Sequence, residues 1–521
     1  MKKLENAFAF YLASVGFACV WVFRLIQLWV VDARSFAAQT PDDAYYYWQI
    51  ARNVAAGGGS SFDGINLTNG YHPLWLMICA MVAQITSRAS DPVTLVHFGK
   101  TLIALQLLVA GAGVCMLSVA VKRTLGSGAA ALVIACCALP WPVYGMTDGL
   151  ESGLVLLFLG AFCLCIVQFE TATAPASARD VAFGALLSIG FLARLDLAFL
   201  IIACGIVAIS RGQIKKAICW AAPVATVAGV YFLTTWANFG MLQPISGALK
   251  SSFPVPHLKV EYLGQYPGAF AAALVAIAGA LACCCVKDEC LSDIRFMQLS
   301  GAAFVIIHAA YTCLFMKWAV HQWHFTAYWF FAFTGAAILL RPAITKSWLS
   351  VGLVSILLLA SGAGQWRFFH GRSDRAFQAR SYDAALWARD HVPAMRAIGM
   401  PDCGAFGYYR GGLVVNLDGV VNSRAYQDTL VREGLALYLS GANVDYIAYH
   451  AVPDGEVKRG YGAHRLSAFS HLYEKEGGAV TLNERDEIYR SDVYNDGNGP
   501  RRFMIWKLEP TSPRSRTVVP R

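Results

Sequence analysis

Two adjacent carboxylates, Asp42 and Asp43, open a stretch that reads DDAYYYWQIARNVAAGGGSSFDGINLTNGYHPLW and ends at Trp75. Neighbouring carboxylates raise one another's proton affinity, which suits one of them to take a proton from a hydroxyl near neutral pH. Around them the same stretch gathers the aromatics Tyr45 to Trp48, three glycines at 57–59, and Tyr71-His72-Pro73. The acids also fit a helix start, with Thr40 as N-cap, Pro41 at the first position and negative charge in the first turn. The two roles are compatible. The glycines lack the Lys-Ser/Thr of a phosphate loop and a preceding strand, so they are taken as a turn rather than a nucleotide cradle.

Other groups with chemical potential lie far away in sequence. Lys250, at the end of PISGALK, offers a point charge for a phosphate, or else snorkels to lipid headgroups. Arg194 interrupts an apolar run and either binds substrate or pairs with Asp196. Glu151 serves to orient an acceptor hydroxyl or to start a helix. His72, His321 and His324 are candidate ligands for a divalent cation beside Asp43, yet no close spacing such as HExxH supports one, and ordinary interfacial histidines fit as well. Asp402 and Asp418 fall at the ends of expected strands, where they bind an acceptor glycan or form turns.

A membrane must position these residues. Of 521 residues 57% are apolar and 14% charged, and the mean hydropathy of +0.48 excludes an ordinary soluble enzyme. The net charge of +9 does not point to nucleic acid, because the excess Lys and Arg lie in short loops between apolar segments, where they set orientation. Most of the 15 cysteines sit in apolar runs such as Cys136-Cys137, as small hydrophobes, and no disulfide is expected. Tyr45, Tyr46, Tyr47 and Trp48 suit the membrane interface better than sugar stacking.

Lys2 and Lys3 precede an apolar run from Ala7 to Val31, a retained anchor that leaves the following loop, 32–94, outside. Pro73 to Thr86 is shorter than the roughly 17 residues a crossing needs and lies at the outer interface. Leu95 to Val121 then crosses inward. Val181 to Ser210 splits into two short helices that turn at Arg194-Leu195-Asp196. With basic loops inside, including Lys287, the pattern gives about eleven crossings, the N-terminus inside and the C-terminus outside. Four outer loops thus deliver ionisable residues to the face that carries Asp42 and Asp43. From Trp366 polar residues dominate, so 1–365 is expected to be the membrane unit and 366–510 an extracytoplasmic α/β domain with a mostly parallel sheet. The Pro-, Ser- and Arg-rich tail, 511–521, is expected to be disordered.

The anchor, the acidic pair on an aromatic helix, the Gly-rich turn and Tyr-His-Pro resemble the first outer loop of the C-type (GT-C) glycosyltransferases, most closely the bacterial arabinofuranosyltransferase type. The stretches MTDGLESGL, FLARLDLAFL, NFGMLQPISGALK and DCGAFGYYRGGLVVNLDGVVN extend the resemblance to about Asn422. It implies a polytopic helical enzyme that moves a sugar, such as arabinofuranose, from a polyprenyl-phosphate donor to a glycan, lipid or protein acceptor at the outer face of the bacterial cytoplasmic membrane. It also implies Asp42 as base with Asp43 as its second, and Lys250, Arg194 and His324 at the donor phosphate. Tyr71, His72, Glu151, Asp402 and Asp418 would then contact the acceptor. Some members hold a divalent cation (Mg, Mn or Ca), for which Asp43 and His72 are the candidates. The segment WHFTAYWF departs from the family, which often carries an Arg or Tyr near His324. A polyprenyl-sugar flippase or a non-catalytic assembly subunit is the competing class; a transporter would place its charges near the midplane and show paired repeats.

Overall fold

The computed structural model describes residues 2–86, 89–168, 176–285, 292–318, 320–344, 347–371, 376–453, 463–470, 472–496 and 499–508. Lys287 and the tail 511–521 lie outside them. The apolar N-terminal run forms α1 (Lys2–Val30). The stretch after it carries α2 (Ala33–Gln39), α3 (Asp42–Ala55) and the 13-residue α4 (Pro73–Ile85). Next come α5 (Pro92–Leu125), α6 (Ser127–Cys137), α7 (Pro140–Gly145) and α8 (Ser152–Gln168). The split expected within 181–210 is present. α9 (Ala176–Ala193) stops where Arg194 becomes extended, one 3-10 turn follows, and α10 (Ala198–Ser210) begins.

The membrane part continues with α11 (Ile214–Phe239), α12 (Ile245–Lys250), α13 (Glu261–Gln265), α14 (Pro267–Cys285), α15 (Ser292–Phe315), α16 (Thr326–Leu339), α17 (Arg341–Ile344) and α18 (Ser347–Gly371). Among the described residues six helices, α1, α5, α11, α14, α15 and α18, are long and apolar enough to cross a membrane by length and composition. Shorter apolar helices, α4, α6, α8 and α10, pack with them. The start of α3 differs from expectation. Thr40 closes α2 instead, its hydroxyl donating to the Phe36 carbonyl at 3.0 Å, and Pro41 takes the N-cap position.

The change of character at Trp366 falls inside α18. Beyond it come α19 (Ala376–His391), β1 (Ala397–Met400), α20 (Gly404–Arg410), β2 (Val414–Asn416), α21 (Arg424–Arg432), α22 (Leu435–Gly441) and β3 (Val444–Ala451). The remaining strands are β4 (Ala463–Ser470), β5 (Lys475–Asn483), β6 (Glu487–Arg490), β7 (Tyr494–Asn495) and β8 (Pro500–Lys507). The main sheet runs β2-β1-β3-β8-β6, with β7 beside β8 and β4–β5 a separate hairpin. Only β2-β1-β3 is parallel, so the expectation of a mostly parallel sheet holds for its first half; β8 runs antiparallel to β3, and β6 and β7 antiparallel to β8. Helices supply the crossovers between β1, β2 and β3, whereas β6, β7 and β8 follow one another with no helix between them, which favours antiparallel pairing.

The two parts share one core. A single buried cluster holds Phe36, Tyr45, Trp48, Trp75 and Phe98 together with Ile398, Phe406, Tyr408, Tyr409 and Phe503. Tyr45 meets Trp48 edge-on at 4.9 Å and Tyr409 at 5.5 Å, and Trp48 meets Tyr408 at 5.8 Å. Tyr45 and Trp48 are fully buried, so these aromatics form a core rather than an interfacial belt. Backbones approach closely where the parts meet: a Cβ on Gly404 would stand 2.3 Å from the Asp42 carbonyl oxygen, and one on Gly70 would stand 1.9 Å from that of Val420.

Candidate active site

Asp42 and Asp43 point to different places because they are consecutive on a helix. The Asp42 carboxylate accepts the backbone N–H groups of Gly404 at 2.7 Å and Ala405 at 2.8 Å, at the start of α20. Burial pushes its pKa well up, against the pull of the Ala405 hydrogen bond. Asp42 therefore clamps the C-terminal part to the first loop and does not line the cavity beside it. Asp43 does line it.

That cavity has a volume of about 370 Å³. It is bounded by the first loop, the ends of α9 and α10, and α11, α12 and α15. Lys250 stands 3.9 Å from Asp43, and Glu151, Tyr71 and His72 share the lining with them. Phe191, Phe199, Phe232, Tyr311 and Met316 add aromatic and apolar walls.

Glu151 is almost fully buried and anchors a network. Tyr47 donates to its Oε2 at 3.0 Å and Arg194 to its Oε1 at 2.8 Å. Arg194 also forks onto Asp196 through Nε at 2.9 Å and donates to the Trp323 carbonyl at 2.9 Å. Two carboxylates already share its guanidinium, and Arg194 also lines the cavity. His308 extends the network, 3.5 Å from Asp196 and hydrogen-bonded to Tyr328. Asp196 had surfaced in the sequence only as a partner for Arg194, and His308 had gone unnoticed. A histidine within the apolar run Val305-Ile306-Ile307-His308 is the signal that could have found it.

The histidines do not act as cations here. His324 lines the cavity, but its Nδ1 turns back to His321, and burial, followed by the charge of Arg194, holds its pKa well down. His72 accepts the Leu195 N–H on Nδ1 at 3.2 Å, which places its own proton on Nε2, 3.6 Å from Glu151. Burial lowers its pKa as well. Lys250 is left as the lining cation with no close hydrogen-bonded carboxylate. Tyr71 hydrogen-bonds Ser60 at 2.6 Å.

Asp402 and Asp418 end β1 and β2, as the sequence suggested. Asp418 is saturated, accepting from Asp402 N at 2.8 Å, Val420 N at 2.8 Å and the Tyr46 hydroxyl at 3.3 Å. Asp402 has a left-handed backbone, φ 46°. Desolvation in the crevice, then the charges of Asp418 and Asp43, push its pKa up to about 7. Neither carboxylate lines the cavity, although Val420 does.

His72 spends Nδ1 on Leu195, Asp43 faces Lys250, and among the described residues no three His, Cys, Asp or Glu side chains converge as ligands.

Residues 369–493 match a family defined as a domain of unknown function, DUF8728. No curated protein sequence matches the chain. Among solved structures, ArnT from Cupriavidus metallidurans bound to undecaprenyl phosphate superposes with a TM-score of 0.53 at 10% identity, covering 89% of this chain and 97% of that one. The archaeal oligosaccharyltransferase AglB from Archaeoglobus fulgidus, in complex with an inhibitory peptide and a dolichol-phosphate, gives 0.50 at 12% identity, covering 84% and 69%. The arabinofuranosyltransferase AftD from Mycobacteria gives 0.45 at 14% identity, covering 96% of this chain and 40% of that one. The chain is a polytopic helical membrane protein with the fold of the GT-C glycosyltransferases and a strand-containing C-terminal part.

Proposed function

We propose that the chain is an inverting glycosyltransferase that takes a sugar, a pentofuranose in the favoured case, from a polyprenyl-phosphate donor. The observation that carries this reading is Asp43 facing Lys250 at 3.9 Å in a cavity that also has aromatic and aliphatic walls. Such a cavity matches a lipid phosphate: apolar walls for a chain and a cation for the anion. ArnT and AglB, bound to undecaprenyl phosphate and dolichol-phosphate, support the donor class.

The acceptor hydroxyl oxygen bonds to the anomeric carbon while the bond from that carbon to the phosphate oxygen breaks. Polyprenyl phosphate leaves with the electron pair, and the hydroxyl proton passes to Asp43. Lys250 holds the phosphate as its charge grows, which is where preorganised charge lowers a barrier most. A phosphate arriving at Lys250 draws the lysine away from Asp43 and frees the carboxylate for the hydroxyl. Neutral His72 presents its Nε2–H beside them as a donor. Asp43 takes precedence over Asp42 because the Asp42 oxygens are occupied by two backbone N–H groups. The reading sets the reaction at the outer face of a bacterial cytoplasmic membrane, with the N-terminus inside, residues 1–365 as the membrane unit and 366–510 as its extracytoplasmic partner.

Purified protein in nanodiscs, given a panel of polyprenyl-phosphate sugars that includes phosphoarabinofuranose, tests this. Asp43→Asn should abolish transfer and keep undecaprenyl-phosphate binding, and Lys250→Met should weaken that binding at least tenfold. Transfer by Asp43→Asn at the wild-type rate, or unchanged phosphate binding by Lys250→Met, refutes the assignment.

A further inference from the structure

A second cavity, of about 270 Å³, lies on the other side of the turn that carries Trp323. Its walls come from α7, α14 and α16 and are mostly aromatic: Trp141, Tyr266, Phe325, Trp329, Phe330 and Phe333. No Lys, Arg or His is among its lining residues. Its one charged residue, Asp148, is fully buried and satisfied, accepting from Gln106 at 2.6 Å, Ser152 at 2.8 Å and Leu150 N at 2.9 Å. A phosphate would find nothing there to neutralise it, so this cavity cannot duplicate the donor site.

Two observations say what it takes instead. Gln322 lines it, and the Gln322 Oε1 is buried without a hydrogen-bond partner among the described residues, an acceptor waiting for a hydroxyl or amide donor. Trp323 lines both cavities, stacked on His321 at 4.5 Å, with its carbonyl fixed by Arg194 at 2.9 Å. Trp323 is thus a wall common to the two cavities.

We propose that this second cavity holds the uncharged chain of a lipid-linked acceptor, with a hydroxyl near its head on Gln322 and Trp323 parting it from the donor. The assignment rests on the glycosyltransferase reading. It makes the acceptor an amphiphile that enters from the membrane rather than a free glycan or a protein, and it has the two substrates reach the Asp43 side from opposite sides of one turn.

The test uses the full chain in phosphatidylcholine nanodiscs with two photoreactive probes: a C20 isoprenoid alcohol and the same isoprenoid as its phosphate. Labelled peptides are mapped by mass spectrometry. The alcohol should label α16 between Trp329 and Phe333, the phosphate should label around Phe199 and Tyr311, and excess phosphate should not displace the alcohol. A Cβ at Gly145, in the wall of the second cavity, meets nothing within 4 Å, so Gly145→Phe can leave the backbone freely and should set its ring in that cavity. It should cut alcohol labelling at least tenfold and leave phosphate labelling within twofold, while Gly229→Phe, in open space on α11, should change neither. Displacement of the alcohol by phosphate, labelling spread over the lipid-facing side of α11, or full alcohol labelling in a Gly145→Phe protein that still takes phosphate would each overturn the proposal. If the phosphate probe fails to label the first cavity in the wild type while the alcohol labels α16, the transferase reading falls and the acceptor assignment falls with it.

Discussion

Removing the Asp42 carboxylate should unfasten the C-terminal part before it touches the chemistry. Asp42→Ala leaves the N–H groups of Gly404 and Ala405 without acceptors in a dry interface. At about 1–3 kcal/mol for each buried unsatisfied group the loss is about 2–6 kcal/mol, offset in part because a costly buried acid is gone. Asp42→Asn keeps one acceptor and turns its NH2 toward the second N–H, so it should lose about half as much. Thermal unfolding in detergent with limited proteolysis reads both effects: earlier release of the segment beyond α18, ordered Ala, then Asn, then wild type. Undecaprenyl-phosphate binding at Lys250 should survive wherever the protein is still folded. An Asp42→Asn protein as stable and protease-resistant as wild type, yet unable to transfer sugar, would refute the clamp and make Asp42 the base.

Two further outcomes follow from the same geometry. Arg194→Ala strands Glu151 and Asp196 in the interior and should cost about 3–5 kcal/mol, seen as low yield and a lowered unfolding temperature, with partial recovery in Arg194→Ala/Asp196→Asn. A folded Arg194→Ala protein that has lost only phosphate binding would contradict this. Asp402 binds its proton more tightly in the folded protein, at about 7, than in the unfolded chain, at about 3.9. Its contribution to stability is thus complete below the unfolded value and is lost as pH rises through the folded one. Thermal stability should fall between pH 5 and 8, and Asp402→Asn should flatten that slope; an unchanged slope would remove Asp402 as its source.

The membrane helices were legible because apolar length is a local property. The helix break at Arg194 announced itself as charge inside an apolar run, and Lys250 and Glu151 line one cavity with Asp43, as expected of loops that share a face. What stayed hidden depended on distant partners. Neighbouring acids look alike in sequence, and only residues 404 and 405 distinguish Asp42 from Asp43. Tyr45 and Trp48 have the composition of an interfacial belt until Tyr408 and Tyr409 cover them. The sequence offers Arg194 only Asp196 as a partner, and the fold adds Glu151.

The shared aromatic core also sets an order of events during synthesis. Tyr45 and Trp48 are translated early, while the groups that cover them and hold Asp42 arrive more than 360 residues later, since Gly404 bonds Asp42 across a separation of 362. Closing so long a loop is a late step, and until then the first loop presents large apolar rings to water. A chain that terminates before α20 would insert its helices and still display that unfinished surface, a signal that quality-control proteases recognise. Competence for catalysis and escape from degradation would then depend on the same late contact, so half-made copies would be cleared rather than left in the membrane to occupy lipid donor.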